Sequence, residues 1–422
     1  MSDLLIENIR LPSGDPASLL IRAGRIESIG ANLTAPADIA RVEGRGLLAL
    51  PGCIDMHVHF RTPGGEHKET LLTGAAAAVK GGTTTCADMP NTSPPTTTMA
   101  ALEDKLARAE GARANLLINF GAEPDNLEEV RRAVVHPAVK ALKIYIGPST
   151  GVGGLAPQAV ENHMRLAGEL GLPVMVHAED MEIIAANDAA FPHEVRHHSD
   201  LRSLEAELSA VRHALGLAES YGTKLYLAHV TSAKVLDLAE DSGLGEQLLV
   251  EVCPHHLLLS TGHIAGPVEN RYKVNPPLRD EQERAALFAE LDGRIGCLGS
   301  DHAPHTLEEK RHPYDQAPSG IPGVEYMLPF ALTWWREGRI SLERMIAITS
   351  GNAARFFGLN KGALEPGLDG DLVLVHPEQS WTIGESDQVA SKCGWTPYAG
   401  MALRGRPLIT IVGGRVVHGE GS

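Results

Sequence analysis

Between Pro51 and Gly358, eight short apolar runs rich in β-branched residues alternate with amphipathic stretches. This is the pattern of parallel strands joined by crossover helices. The runs are GCIDMHVH, TTTCADM, ANLLINF, VKALKIYI, LPVMVHAE, KLYLAHV, LLVEVCPHH and RIGCLGSDHAPH. Eight strands with intervening helices over about 300 residues predict an α/β fold, a TIM-like (β/α)8 barrel. The clearest helix covers Ser203 to Ser220, where Leu204, Leu208, Val211, Leu215 and Ala218 keep helical spacing and Gly222 follows as a stop. Asp280 and Glu283 predict a capping box at the start of another helix.

Both chain ends read differently. Short strands separated by tight turns fill the first 50 residues, with one turn near Ala23-Gly24, and the segment after Asp371 repeats the pattern with a hairpin at Gly413-Gly414. Two β-rich ends, residues 1–50 and 362–422, are therefore expected to flank the barrel at 51–361. SPPTTT at 93–98 reads as a loop.

With 37 Lys+Arg against 53 Asp+Glu, the net charge of −16 offers no general attraction to nucleic acid or anionic lipid. No basic leader or apolar run long enough to span a bilayer is visible, so a cytoplasmic protein is expected. The 5 cysteines are scattered and never form a CxxC pair, which points any metal toward other ligands.

Chemistry in a parallel barrel gathers where strands end. His57 and His59 close the first run, Lys143 lies in the fourth, His177 closes the fifth, His229 the sixth and Asp301 the eighth. Alternate residues of a strand share a face, so the His57-Val58-His59 imidazoles can hold one ion. This nitrogen and oxygen donor set suits zinc, and also manganese or cobalt. Lys143 would be repelled by such ions. With a pKa lowered by burial it could instead react as the free amine with CO₂, giving a carbamate able to bridge two metals.

The segments PGCIDMHVHFRTPGGEHKE, MPNTSPP, CPHHLLLS, KVNPPLR and SDHAPHTLEEK resemble the amidohydrolase superfamily. Within it they are similar to the dihydroorotases, above all the dihydroorotase domain of the animal multifunctional pyrimidine-synthesis protein. The resemblance implies a small composite β-sandwich domain from residues 1–50 and 362–422 around a metal-dependent hydrolase barrel at 51–361, and two divalent metal ions, zinc first among them. His57 and His59 would bind one, His177 and His229 the other, carboxylated Lys143 would bridge them, and Asp301 would bind metal and move protons. It further implies that Arg61 recognises a substrate carboxylate, with Asn91, Asn275 and His305 as further contacts and Ser319 and Gly320 offering backbone groups. The chain departs from the animal domain at Ala228, where that domain has a cysteine helping to hold an additional zinc, and it keeps Glu251. The loop after Lys143, GPSTGVGG, reads as a lid.

The activity implied is reversible hydrolysis of the cyclic amide of (S)-dihydroorotate to N-carbamoyl-L-aspartate in pyrimidine biosynthesis, by a metal-bridged hydroxide with Asp301 as general acid and base. Allantoinase and dihydropyrimidinase or hydantoinase share the ligand pattern but place no arginine after the HxH pair. A non-catalytic scaffold is a further alternative, opposed by the intact ligand set. A homodimer is expected from the resemblance, which leaves association with aspartate transcarbamoylase open. His193, His197 and His198 read as an irregular polar stretch, and His255 and His256 as supports for the pocket.

Overall fold

The computed structural model describes residues 3–31, 33–264, 269–384 and 389–419. The eight apolar runs form one parallel sheet, β1 (Cys53–Val58), β2 (Thr83–Asp88), β3 (Asn115–Gly121), β4 (Val139–Tyr145), β5 (Val174–His177), β6 (Leu225–Leu227), β7 (Leu248–Val252) and β8 (Cys297–Leu298), in chain order across the sheet. The ring closes between its outer members through a single parallel bridge, Val58 with His302, and a 2.8 Å bond from the His59 N–H to the His302 carbonyl. This is the expected TIM-like barrel.

Strand alternation explains how an apolar barrel carries a polar rim. Ala141, Met175 and Leu249 pack in one cluster with Ile54, Met56 and Tyr226, and Phe356 and Phe357 join it against Tyr226. Two residues further along the same strands, and hence on the same face, stand Lys143, His177 and Glu251. Burying the lower layer therefore presents the polar one at the C-terminal mouth.

The helix expected at Ser203 runs from Leu204 to Tyr221 and stops at Gly222, whose φ of 63° is the left-handed conformation glycine adopts without strain. The capping box at Asp280 forms only in part. Asp280 accepts from the Glu283 N–H, but the Glu283 carboxylate turns away to Ser232 and Lys234. An ammonium and a hydroxyl outcompete a single backbone N–H for that carboxylate.

The chain ends share a second, mixed sheet in which Leu48–Pro51 pairs antiparallel with the strand starting at Leu372. Its apolar face collects Ile6, Leu19, Ile21, Ala49, Leu374 and Ile411. The turns at Ala23-Gly24 and Gly413-Gly414 have positive φ at both central residues, the geometry of a tight two-residue hairpin.

One buried ion pair ties the mouth of β1 to the end of β2. Lys105 Nζ donates to Asp88 Oδ2 at 2.7 Å with both side chains fully buried, and Asp88 Oδ1 accepts the Phe60 N–H at 2.7 Å, next to Arg61. Lys105→Met strands the Asp88 carboxylate, so unfolding free energy measured by chemical denaturation should fall by about 3–5 kcal/mol.

Candidate active site

At the C-terminal mouth one pocket is lined by His57, His59, Lys143, His177, His229 and Asp301 together with Arg61, Asn91, Asn275, Ser319 and Gly320. Of the expected site residues only His305 lies outside that lining; it stands behind it, 3.1 Å from Arg61. The four imidazoles form a continuous row across the mouth, with ring centroids 5.4 Å apart for His59 and His57, 5.2 Å for His57 and His229, and 4.8 Å for His229 and His177.

The hydrogen bonds show which nitrogens face inward. His57 Nδ1 lies 2.9 Å from Glu251 Oε1 and His59 Nδ1 lies 2.6 Å from Asn91 Oδ1. Donating outward to these oxygens leaves the Nε2 lone pairs inside, and both point at one atom, Asp301 Oδ1, at 3.2 and 3.1 Å. Burial pulls the His59 pKa down to about 4, so its inward nitrogen carries no proton at neutral pH. Two lone pairs converging on a carboxylate oxygen repel unless a cation lies among them. The donor set therefore fits a metal ion, with all three ligand atoms within 4.8 Å of one another.

The other half is built differently. His177 Nε2 lies 2.8 Å from Glu179 Oε2, and Arg202 clamps that same carboxylate and reaches the Pro148 carbonyl. Burial opposes ionisation of Glu179, yet the Arg202 and His177 partners hold its carboxyl far below the usual range. His177 Nδ1 thus faces His229 Nε2 at 2.9 Å, while His229 Nδ1 and Lys143 Nζ are buried among the described residues without hydrogen-bond partners. A lysine 1% exposed with an unsatisfied nitrogen is costly as an ammonium, and burial pulls its pKa down to about 8. Lys143 is thereby suited to react as a free amine. The backbone is strained here too. Arg61, His229 and Asp301 have φ of 59°, 40° and 41°, a region that side-chain-bearing residues rarely occupy.

Arg61 is buried, and none of the ion pairs among the described residues includes it. Its Nε donates to the Pro304 carbonyl at 3.2 Å. Beside it, Lys68 Nζ donates to His305 Nδ1 at 3.0 Å, so the His305 proton sits on Nε2 and is donated to the Ser319 carbonyl at 3.1 Å. Arg61 Nη2 consequently meets an N–H and finds no acceptor there. A buried guanidinium without a counter-ion at the edge of a pocket is an anion site awaiting its anion. Gly320 borders the same space at φ 148°, where a Cβ would come within 2.5 Å of the Ala303 carbonyl.

A sequence model of the amidohydrolase family matches residues 48–417. The chain belongs to the amidohydrolase family. Curated relatives of this amidohydrolase include the dihydroorotase of Methanosarcina mazei, 35% identical over 95% of this chain and 91% of the relative, and that of Halobacterium salinarum, 35% identical over 98% and 96%. Among solved structures, L-hydantoinase (dihydropyrimidinase) from Arthrobacter aurescens superposes with a TM-score of 0.92 at 28% identity, covering 100% of this chain and 97% of that one. D-Hydantoinase (dihydropyrimidinase) from Thermus sp. gives 0.91 at 27% identity, covering 99% and 96%.

Among the residues that shape this amidohydrolase's pocket, His256 is an expected support and Glu251 stands where the resemblance keeps it, whereas His198 escapes sequence reasoning. Glu251 accepts from His57 Nδ1, the His229 N–H and the Tyr226 hydroxyl. His198, read from sequence as part of an irregular stretch, is buried with Nε2 2.9 Å from Asn275 Oδ1 and Nδ1 2.6 Å from the Tyr314 hydroxyl. His256 Nε2 lies 3.1 Å from the Pro276 carbonyl, next to Asn275. The loop after Lys143 borders the pocket at Thr150, whose hydroxyl donates to the Ser319 carbonyl and whose own carbonyl accepts from Asn91. None of these partners shares a local spacing with the residue it positions.

Proposed function

We propose that this amidohydrolase is a cytoplasmic dihydroorotase, opening the ring amide of (S)-dihydroorotate to N-carbamoyl-L-aspartate and closing it in the biosynthetic direction. The observation that carries the reading is Arg61, a buried guanidinium with no ion-pair partner among the described residues, at the edge of a histidine and aspartate cluster. His57, His59 and Asp301 would hold one zinc ion and His177 and His229 a second, with carboxylated Lys143 between them. When bound, the ions supply Lewis acidity to the amide carbonyl and to the attacking water.

The chain's own residues do the rest. Arg61 takes the substrate carboxylate through paired N–H donors, while Asn91, Asn275 and the Ser319–Gly320 backbone orient the ring beside it and His305 backs Arg61 from behind. Asp301 takes the proton of the attacking water and delivers it to the ring nitrogen as the amide bond breaks. The likeness to hydantoinase structures favours a second reading, hydrolysis of cyclic amides lacking that carboxylate, but such substrates would leave Arg61 buried and uncompensated. A homodimer accompanies the first reading, checked by sedimentation with and without aspartate transcarbamoylase.

Turnover of dihydroorotate by zinc-replete protein, measured beside allantoin and dihydrouracil, tests the assignment. Dihydroorotate should be the preferred substrate, and faster turnover of either neutral ring would overturn it. Arg61→Met should raise KM for dihydroorotate by roughly 10- to 100-fold, the worth of a charge-assisted pair, with metal content unchanged. An unchanged KM would remove Arg61 from recognition.

A further inference from the structure

Lys310 ends the short helix Leu307–Lys310 that follows His305, and its side chain is 1% exposed. Nζ donates to three carbonyls, Lys273 at 2.9 Å, Pro318 at 2.9 Å and Gly320 at 3.0 Å. An ammonium has three N–H donors and spends one on each; a neutral amine would turn a lone pair toward one of the carbonyls. The adjacent carboxylate, Glu309, pairs with Lys68 instead. Burial and the nearby Lys273 and Arg61 charges pull the Lys310 pKa down. The position is therefore costly, and the three carbonyls are what the side chain gains.

Those carbonyls belong to two walls of the pocket. Lys273 leads directly into Val274 and Asn275, while Pro318 and Gly320 flank Ser319. The Lys273 carbonyl also accepts the Gly320 N–H at 2.9 Å, so both walls meet at one oxygen beside the ammonium. Between them the Ser319 carbonyl receives the protons of His305 Nε2 and Thr150 Oγ1.

We propose that Lys310 is a positioning residue for carboxylate recognition: an internal cation that locks the Asn275 and Ser319–Gly320 walls at the spacing that keeps Arg61, backed by His305, open to the substrate carboxylate. The inference rests on the dihydroorotase reading for its substrate and on the three hydrogen bonds for its geometry. Lys310 itself touches no reacting atom.

Lys310→Met, which keeps the length and removes every donor, and Lys310→Gln, which keeps two N–H groups without charge, test it in the zinc-loaded full chain. KM for dihydroorotate should rise about tenfold or more in the methionine variant and less in the glutamine variant, with kcat within about threefold and metal content at the wild-type level. Hydrogen exchange at the Gly320 amide should accelerate by about tenfold in the methionine variant, while amides of β2 to β5 keep their protection. Unchanged exchange at Gly320 overturns the clamp, and faster exchange throughout the barrel makes Lys310 merely structural, which also overturns it. If exchange changes locally but KM does not, the link to recognition is overturned. Should the methionine variant fail to fold, the glutamine variant decides by the same readouts. Failure of the wild-type protein to turn over dihydroorotate would count against the functional reading alone, because the exchange comparison still decides the clamp.

Discussion

Lys143→Ala should leave a folded barrel that holds less metal and turns over dihydroorotate about 10³-fold more slowly, since losing the proposed bridge would remove several kcal/mol of transition-state stabilisation. The physical case is the burial of an amine with no hydrogen-bond partner, one whose pKa is pulled to about 8. Left as an ammonium it would sit uncompensated beside the cation site formed by His57, His59 and Asp301. Loss of one proton to give the free amine, then N–C bond formation with CO₂ and loss of a second proton to solvent, replaces that positive charge by a negative one and supplies two carbamate oxygens. Short carboxylic acids should restore part of both metal content and rate in the alanine variant by occupying the vacated space. Elemental analysis and steady-state assays read the outcome, and wild-type metal content together with a wild-type rate would exclude the carbamate.

The second large effect belongs to Asp301. Asp301→Asn keeps the shape of the side chain but removes both its charge and its ability to accept a proton. Burial works against ionisation of this carboxyl, and a cation held among His57, His59 and Asp301 would offset that burial and keep it charged. With that cation bound it would be a charged acceptor at neutral pH, 3.1 to 3.2 Å from the two inward nitrogens. A fall in kcat of about 10³-fold is expected from loss of proton transfer, with KM changed far less because Arg61 still holds the carboxylate. A kcat within tenfold of wild type would show that another group moves the proton.

How much of the site was legible before folding follows from the range of the forces involved. His57 and His59 could be paired because strand alternation is a two-residue property, and Lys143 stood out because an ammonium on a buried strand is costly wherever the strand lies. Glu251 could not be found this way, since it is 194 residues from the His57 nitrogen it orients. The same holds for Glu179 and Arg202, for Lys68 behind His305, and for His198 behind Asn275. His198 illustrates the limit well. Its sequence neighbourhood is polar and irregular, and only packing against Tyr314 and Val274 makes it a buried support.

By itself the sequence determined the alternation of strands and helices, the face each rim residue shares with its apolar neighbour two positions earlier, and the stop at Gly222, because each of these depends on backbone geometry within a few residues. Tertiary structure alone decided that the two inward histidine nitrogens meet on a single Asp301 oxygen, that Arg61 is buried without an ion-pair partner among the described residues, and that the Glu283 carboxylate leaves its helix cap for Ser232 and Lys234. Closing the ring between β1 and the segment after β8 sets those distances, and electrostatic balance in a buried space is a sum over every group that closure brings near.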